Sequence, residues 1–261
     1  MPSDAARDPP LLTPDWAAPP GVGAAMSTRS GGVSSGPYRS ANLGTAVGDD
    51  PAAVAENRRR FAAAIGARPV WLQQVHGAQV LRVGAADADA PPLPADAAWT
   101  DEPGVACTVQ VADCLPVLLA APGARAVAAA HAGWRGLAGG VVEAALAALC
   151  GAAGCAPGEI AAWLGPCIGP RRFEVGADVL EAFGVAPGGE DGSAFRPCPA
   201  PGGEMRWLAD LPRLARERLA RAGVRLVAGG HWCTVEDAQR FYSYRRDRVT
   251  GRQAAAVWIR G

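Results

Sequence analysis

A short apolar run that ends in a histidine and a glycine-rich turn constrains the fold most strongly. Residues 126–130 are apolar, His131 follows them, and a Gly-Trp-Arg-Gly turn at 133–136 precedes a helical pattern that starts near Leu137. This order predicts a buried strand that presents a side chain at its end. Two interpretations of His131 are open at this point: a reactive group, or a hydrogen-bonded histidine of the core.

Other strand-like segments lie too close together for helical crossovers. Apolar runs at 70–75 and 78–83 are separated by His76 and Gly77 alone. Parallel neighbours need a connection of about a dozen residues or more, so this spacing favours antiparallel or mixed pairing. Strands and helices also alternate irregularly along the chain. The sequence therefore predicts an α+β fold with mixed sheets.

Local signals place the remaining elements. Asp50 as N-cap, Pro51 in the first turn and Gly66 as the stop predict a helix. Further helices are expected from 137 to about 150, over 176–184 and after Asp210, strands over 105–121, 160–164, 224–228 and 254–259, and a surface loop over 186–204. The Gly/Ser-rich stretch 29–48 reads as a flexible linker or as a substrate loop, and its composition alone favours the linker.

Charge composition excludes several classes of protein. The chain has 25 basic and 25 acidic side chains, and every basic one is arginine. Without lysine there is no Schiff base to pyridoxal phosphate and no P-loop. Balanced charge gives no electrostatic case for binding nucleic acid or a membrane surface. With no signal-peptide pattern and no apolar run long enough for a bilayer, a cytoplasmic location is expected, with its seven cysteines reduced.

Candidate reactive residues lie at the ends or kinks of separate strand-like segments. His76, His131 and Cys114 are too far apart in sequence for a zinc finger. Three N and S ligands with a free fourth position are typical of a catalytic zinc site, in which zinc lowers the pKa of its water to roughly 7 or polarises a substrate oxygen. A metal-free Cys–His dyad would use the same residues as nucleophile and base. Asp113, a charge within an apolar run, either caps a strand end or has a chemical role.

Several motifs in fixed order resemble the YfiH family, which is also labelled laccase-domain, polyphenol oxidase or peptidoglycan editing factor. The motifs are GGVSSGPY (31–38), NLG (42–44), ENR (56–58), WLQQVHG (71–77), VADCLPVLL (111–119), AHAGWRG (130–136), LGPCIGP (164–170), FEVG (173–176), CTVED (233–237), FYSYRRD (241–247) and TGR (250–252). Phe173 departs from the family, which often has tyrosine there, so no hydroxyl contact is expected at that position. The resemblance begins at about residue 28, which leaves 1–27 as an expected flexible N-terminal arm and 28–261 as a single catalytic domain.

The resemblance carries expectations about fold, metal and activity. It implies mixed sheets in a central sandwich flanked by helices, as in the catalytic domain of cytotoxic necrotizing factor toxins. It implies zinc bound by His76, Cys114 and His131. It also implies phosphorolysis of adenosine, inosine or methylthioadenosine, with adenosine deamination as a second activity. The expected partners are a purine nucleoside and phosphate, and no protein partner is implied.

Catalytic and substrate-binding roles follow from this expected chemistry. Cys114 and His131 are the predicted catalytic ligands, and Asp113 is the candidate acid/base because no H-x-E motif is present. Arginines are suited to clamp phosphate. The predicted substrate-binding residues are Asn42, Arg58, Gln73, Arg135 and Arg245. No role is assigned to Cys167, His231 or Cys233.

Two alternative functions use the same residues. A copper-dependent polyphenol oxidase is one, because two histidines and a cysteine also bind copper. A multicopper centre needs more histidines than His76, His131 and His231 provide, so any bound Cu²⁺ is expected to be adventitious. The other is a metal-free cysteine hydrolase that acts on a cell-wall precursor, with Cys114 as nucleophile.

Overall fold

A computed structural model describes residues 10–187, 194–200 and 202–261. Strands and helices alternate irregularly, and six strands follow one another over the fully described residues 68–132 with no α-helix between them. The strands are β1 (Leu11–Leu12), β2 (Val22–Ser27), β3 (Arg68–Val70), β4 (Val80–Arg82), β5 (Ala97–Thr100), β6 (Val105–Val111), β7 (Leu115–Ala120), β8 (Val127–Ala132), β9 (Ala161–Leu164), β10 (Glu174–Val175), β11 (Phe195–Pro197), β12 (Trp207–Ala209), β13 (Leu226–Gly229) and β14 (Gln253–Ile259). The helices are α1 (Pro51–Ile65), α2 (Trp134–Ala138), α3 (Val141–Ala153), α4 (Ala177–Ala182), α5 (Leu211–Arg221) and α6 (Tyr244–Asp247). Within the described ranges, no helix combines the length and the apolar character that crossing a membrane requires.

The strands form two large sheets and one small sheet. The five-stranded sheet has the order β1-β2-β14-β6-β3, the six-stranded sheet β13-β9-β7-β8-β5-β4, and the small sheet β10-β12-β11. Each large sheet combines antiparallel pairs with parallel ones: β3 is parallel to β6, β4 to β5, and β13 to β9. The prediction of an α+β fold with mixed sheets is therefore confirmed.

The two large sheets pack face to face over a shared apolar core. Val109 and Val257 of the five-stranded sheet meet Leu118 and Ala129 of the six-stranded sheet in one buried cluster. Because strand side chains alternate between faces, each sheet also has an outer apolar face that needs cover. Helix α1 covers the five-stranded sheet with Phe61, and helices α3 and α5 cover the six-stranded sheet. The result is a central sandwich with helices on both outer sides.

The apolar run predicted as one strand over 105–121 is two strands in different sheets. β6 ends at Val111 in the five-stranded sheet, and β7 begins at Leu115 in the six-stranded sheet. Asp113 lies in the crossover with a positive φ of 92°. Its Oδ1 accepts a hydrogen bond from Thr234 Oγ1 at 2.6 Å, and its Oδ2 accepts one from the Arg245 backbone N–H at 2.6 Å. The Asp113 side chain thus ties the crossover to Thr234 and to helix α6, and its chemical role stays a prediction.

The amino-terminal segment is part of the sandwich. Residues 22–27 form β2, which pairs with β14 from Val22 opposite Ile259 to Met26 opposite Ala255. A Cβ at Gly23 would lie 2.2 Å from Trp258 Cε2, so the strand depends on a residue with low strand propensity. This pairing corrects the prediction of a flexible arm for residues 22–27. Residues 1–9 of that arm lie outside the described residues.

The Gly/Ser-rich stretch 29–48 is bound to the domain and is not a linker. Asn57 of helix α1, which is 2% exposed, organises it. Its Oδ1 accepts from the Val33 N–H at 2.9 Å, and its Nδ2 donates to Ser34 Oγ and to the Asn42 carbonyl, both at 2.9 Å. The predicted surface loop 186–204 contains strand β11, while residues 188–193 and 201 lie outside the described ranges.

Replacing Asn57 by alanine is expected to lower the free energy of unfolding by about 2–3 kcal/mol, because buried backbone groups lose their partners. Urea denaturation measures the change. Arg59→Ala is the matched control on the same helix, since Arg59 pairs with Glu56 at the surface. The control loses about 0.5 kcal/mol or less, and equal losses in both variants would contradict the role given to Asn57.

Candidate metal centre

The structure brings the three predicted ligands together. His76 lies in the turn between β3 and β4, Cys114 directly precedes β7, and His131 lies near the end of β8. β7 and β8 are antiparallel neighbours with Leu115 opposite Ala132, which places Cys114 beside the end of β8. The ligand atoms of His76, Cys114 and His131 all lie within 4.8 Å of one another. Strand pairing thus brings together residues that are far apart in the sequence.

The geometry of the cluster suits a metal ion with an open coordination position. Cys114 Sγ lies 3.9 Å from His76 Nε2, and the two imidazole rings are 4.8 Å apart at an interplanar angle of 75°. His131 is buried, Cys114 is half-buried and His76 is exposed, so one side of the cluster faces solvent. Two imidazoles and one thiolate form a donor set that binds zinc or copper. The residues present therefore fit a catalytic metal.

Glycines allow the turn after β8 to approach the ligands. A Cβ at Gly133 would lie 2.8 Å from Cys114 Sγ and 3.2 Å from His76 Cδ2. A Cβ at Gly136 would lie 2.9 Å from the Gly77 carbonyl oxygen. The distances of 2.8 Å at Gly133 and 2.9 Å at Gly136 are too short to accommodate a Cβ atom at either position. The glycines around the Trp-Arg pair are thus required by the site as well as by the turn.

Asp96, which the sequence does not single out, holds two of the ligands in place. It is 0% exposed. Its Oδ1 lies 2.8 Å from His131 Nδ1 and accepts from the His76 backbone N–H at 2.9 Å. Its Oδ2 accepts from the backbone N–H groups of Gly77 at 2.6 Å and Val75 at 3.2 Å. A carboxylate on Nδ1 fixes the tautomer in which Nε2 of His131 presents its lone pair to a metal.

The same carboxylate stabilises an unusual backbone conformation. His76 has a φ of 62°, in the left-handed region that non-glycine residues rarely adopt. Asp96 accepts hydrogen bonds from the backbone N–H groups of His76 and of its two neighbours, Val75 and Gly77. The carboxylate therefore holds the turn that presents the His76 ring. In the sequence, Asp96 is one of several aspartates in a loop of Ala, Asp and Pro. Nothing local distinguishes it from Asp87 or Asp89.

Burial and neighbouring charges shift the pKa values of Cys114, His131 and Asp96 in the metal-free state. Burial raises the pKa of Cys114, but the charges and hydrogen bonds of His131 and His76 together outweigh burial and lower it to about 6. Burial lowers the pKa of His131, whereas the Cys114 charge and the Asp96 hydrogen bond raise it to about 9. Burial raises the pKa of Asp96, and the bonds from His131 and Gly77 bring it below its ordinary value. Cys114 is therefore a thiolate at neutral pH, ready as a ligand or a nucleophile.

The structure does not support the prediction that Asn42 binds substrate. Its side chain is 0% exposed. Oδ1 accepts from the N–H groups of Gly44 at 2.9 Å and Arg252 at 2.8 Å, and Nδ2 donates to the Gly44 carbonyl and to Asp49 Oδ2. All its hydrogen-bonding capacity is used within the fold. Asn42 therefore shapes the 42–44 turn and has none left for a substrate.

The other predicted substrate residues have fewer constraints. Gln73 has an exposed side chain. Arg58 donates from Nε to the Leu43 carbonyl at 2.9 Å, and Arg245 donates from Nη1 to the Glu174 carbonyl at 2.9 Å. Arg135 lies in helix α2, four residues after His131, and is exposed. Its guanidinium lies 4.2 Å from the Trp134 ring centroid. Their contact with a substrate stays a prediction.

The residues left without a role are not members of the ligand set. His231 is exposed, and its ring centroid lies 3.6 Å from that of Trp232. Cys167 and Cys233 face each other in an isolated β-bridge, and the Gly169 N–H donates to Cys233 Sγ at 3.2 Å. All seven cysteines are free thiols. Among the described residues, His76, Cys114 and His131 form the one group of three or more His, Cys, Asp or Glu side chains arranged to hold a metal.

Comparison with known proteins defines the family to which this chain belongs. The sequence profile described as multi-copper polyphenol oxidoreductase laccase matches residues 23–260. The match covers nearly the whole chain, which therefore belongs to that family. The resemblance to the YfiH family is confirmed by individual relatives.

Those relatives match this chain over nearly the whole length of both proteins. A protein of Pseudomonas aeruginosa named purine nucleoside phosphorylase is 53% identical over 248 residues, which cover 95% of this chain and 98% of the relative. The purine nucleoside phosphorylase YfiH of Escherichia coli is 47% identical over 251 residues, again 95% of this chain and 98% of the relative. A crystal structure of a Neisseria meningitidis protein of the DUF152 family has a TM-score of 0.87 at 47% identity, covering 96% of this chain and 99% of that one. YlmD of Geobacillus stearothermophilus has a TM-score of 0.83 at 35% identity, covering 93% of each chain.

Replacing Asp96 by asparagine is expected to weaken zinc binding about 10- to 100-fold, because His131 loses its charged partner and the His76 turn loses an acceptor. Competition with a chromogenic chelator measures the affinity. Asp101→Asn is the control, since Asp101 pairs with Arg82 at the surface. Unchanged affinity in Asp96→Asn would show that the carboxylate does not support the ligands.

In chelator-treated protein, alkylation of Cys114 is expected to follow a pH profile with a midpoint near 6. The thiolate dominates above this pH, and reactivity is lost as the pH falls through it, because the protonated thiol is a weak nucleophile. Peptide mass spectrometry after timed iodoacetamide treatment separates Cys114 from the other thiols. Zinc-loaded protein serves as the control and is expected to be protected; a midpoint at the ordinary thiol value would contradict the proposed charge pairing.

Proposed function

We propose that this protein is a zinc-dependent purine nucleoside phosphorylase that releases the free base and ribose 1-phosphate. The observation that carries the proposal is the cluster of His76, Cys114 and His131, held by Asp96, in a chain collinear with relatives named purine nucleoside phosphorylase. Zinc bound there supplies a Lewis acid that polarises an oxygen or lowers the pKa of a bound water to about 7. The expected substrates are adenosine, inosine and methylthioadenosine.

Phosphorolysis places two demands on the chain itself. Phosphate must be held against the ribose C1′ while positive charge develops on the sugar, and arginines are suited to bind that anion. Arg58, Arg135 and Arg245 each keep guanidinium nitrogens without a hydrogen-bond partner in the described part of the chain. Water must also be limited near the reacting centre, and Trp134 of α2, which packs against the core behind the cluster, is suited to form one wall.

Adenosine deamination is proposed as a second activity. Asp113 is the candidate for proton transfer, since it precedes Cys114 directly and each of its oxygens keeps one lone pair beyond the bond it accepts. Its anchoring to Thr234 and the Arg245 backbone fixes its orientation. A cytoplasmic location and a likeness to the catalytic domain of cytotoxic necrotizing factor toxins stay predictions.

A copper oxidase is the second candidate function, because the family is described as a multi-copper laccase and the same donor set binds copper. The surroundings argue against it. The remaining histidine, His231, stacks on Trp232 at the surface. Met26 is buried in the core between the sheets, and Met205 is exposed. We therefore propose that copper, where present, is adventitious.

A metal-defined preparation assayed with each nucleoside tests the proposal. Zinc-loaded protein is expected to release free base from inosine in the presence of phosphate, and Cys114→Ala and His76→Ala are expected to lose this activity together with about one zinc per chain. Cys155→Ala, a half-exposed thiol at the end of α3, is the control that keeps both.

The same preparation separates the alternatives. Hypoxanthine or inosine formed from adenosine without phosphate reports deamination. Phenol oxidation that requires added copper supports the adventitious interpretation, whereas a strong blue absorption in protein purified without copper would support the oxidase. Activity that needs no metal but is abolished by alkylation of Cys114 would support the cysteine hydrolase. No release of base with or without phosphate would reject the phosphorylase.

A further inference from the structure

We propose that Arg252, with Arg58, forms an anion subsite beside the metal centre that binds the phosphate of phosphorolysis; this inference rests on the proposed function. Arg252 belongs to the TGR motif but was not among the predicted substrate-binding residues. Three observations support the subsite: its position next to the ligand crossover, its lack of a carboxylate partner, and its attachment to the same turn as Arg58.

Strand pairing places Arg252 beside the crossover that carries Cys114. Gln253 of β14 pairs with Val111 of β6 in antiparallel register. Arg252 directly precedes Gln253, and Val111 lies three residues before Cys114, so the start of β14 lies beside the crossover. A Cβ at Gly44 would lie 2.7 Å from Arg252 Cγ, so the arginine stem runs closely over the 42–44 turn.

The Arg252 guanidinium is partly buried without a counter-ion. Its Nη1 donates to the carbonyl oxygens of Thr250 at 3.2 Å and Gly251 at 3.0 Å. Neither Nε nor Nη2 has a hydrogen-bond partner, and Arg252 makes no ion pair, within the ranges that the structure describes. Burial lowers its pKa, and the negative charges of Cys114 and Asp113, which lie within electrostatic range, act in the opposite direction. A partly desolvated cation with free donors is stabilised when a ligand supplies the missing anion.

Arg58 approaches the same turn from helix α1. Its Nε donates to the Leu43 carbonyl at 2.9 Å, while the Leu43 N–H donates to the Arg252 carbonyl at 3.0 Å. Its guanidinium stacks 4.0 Å from the Trp71 ring centroid, and burial lowers its pKa to about 10. Both Nη atoms lack partners among the described residues. The Leu43 backbone thus binds the Arg58 guanidinium through its carbonyl and the Arg252 backbone through its N–H, which holds both arginines at one turn. A guanidinium with free N–H groups presents the planar fork that binds phosphate oxygens.

A larger arginine-lined cleft that contains neither Arg58 nor Arg252 is the competing site for phosphate. It has a volume of about 820 Å³ and is lined by Arg171, Arg172, Arg245, Arg246 and Arg248. Arg171 already pairs with Glu236 and Arg246 with Asp247. Arg172 makes no ion pair within the described ranges, but it is exposed, so salt and water screen its charge. Arg172 therefore supplies the matched control.

Steady-state kinetics test the subsite. Arg252→Gln is expected to raise the KM for phosphate at least about tenfold, because one or more charge-assisted hydrogen bonds to the anion are lost. The KM for inosine is expected to change by less than about twofold. Arg58→Gln is expected to shift the phosphate KM in the same direction, and Arg252→Lys to recover part of the loss. Arg172→Gln is expected to leave both constants unchanged. An unchanged phosphate KM in Arg252→Gln, or an equal rise for both substrates, would overturn the subsite, and a selective effect in Arg172→Gln would place phosphate in the larger cleft.

A binding measurement separates this inference from the proposed function. Millimolar inorganic phosphate is expected to raise the Tm of the zinc-loaded wild-type protein but not that of Arg252→Gln with the same zinc content. If the wild type shows this Arg252-dependent shift and no phosphorolysis, the subsite stands and the proposed function falls. If phosphorolysis proceeds while phosphate stabilises both proteins equally, the subsite falls and the proposed function stands.

Discussion

The hydrogen bonds of one buried carboxylate organise the functional end of this molecule. Asp96 binds His131 through its ring and the His76 turn through backbone N–H groups, so two of the three ligands depend on it. A buried carboxylate is costly unless it is fully paired, and here both oxygens accept two bonds each. The contacts that position the ligands also favour the ionised form of Asp96. The charge of this carboxylate and the geometry of the site therefore depend on the same hydrogen bonds.

The sandwich explains why the ligands meet where they do. Cys114 lies where the chain crosses from the five-stranded to the six-stranded sheet, and His131 lies on the strand next to β7. The crossover is held by Asp113, whose oxygens bind Thr234 and the Arg245 backbone. Because the start of β14 lies beside the same crossover, Arg252 is brought to the site by the strand register. Scaffold and site are therefore built from the same pairings.

Much of the fold is readable from local signals, and the failures have identifiable causes. The N-cap of Asp50 and the left-handed Gly66 bound helix α1 as predicted, because capping depends on nearby backbone groups alone. Strand β2 was missed because Gly23, Ala24 and Ala25 have weak strand propensity, and the strand is stabilised by pairing with β14 more than 200 residues away. The 29–48 stretch was misread as a linker for the same reason, since its order comes from Asn57 of another element.

The functional site likewise combines features that can be read from the sequence with features that only the folded structure reveals. The sequence by itself narrowed the candidate ligands to a few residues, because few residue types bind zinc or copper and the chain carries only three histidines. It could not identify Asp96, Arg252 or the saturated state of Asn42, since each depends on which backbone groups lie within about 3 Å in the folded chain. Tertiary structure alone decided those contacts: hydrogen bonds and desolvation act over a few ångströms in space, whereas the residues that make them are far apart in sequence.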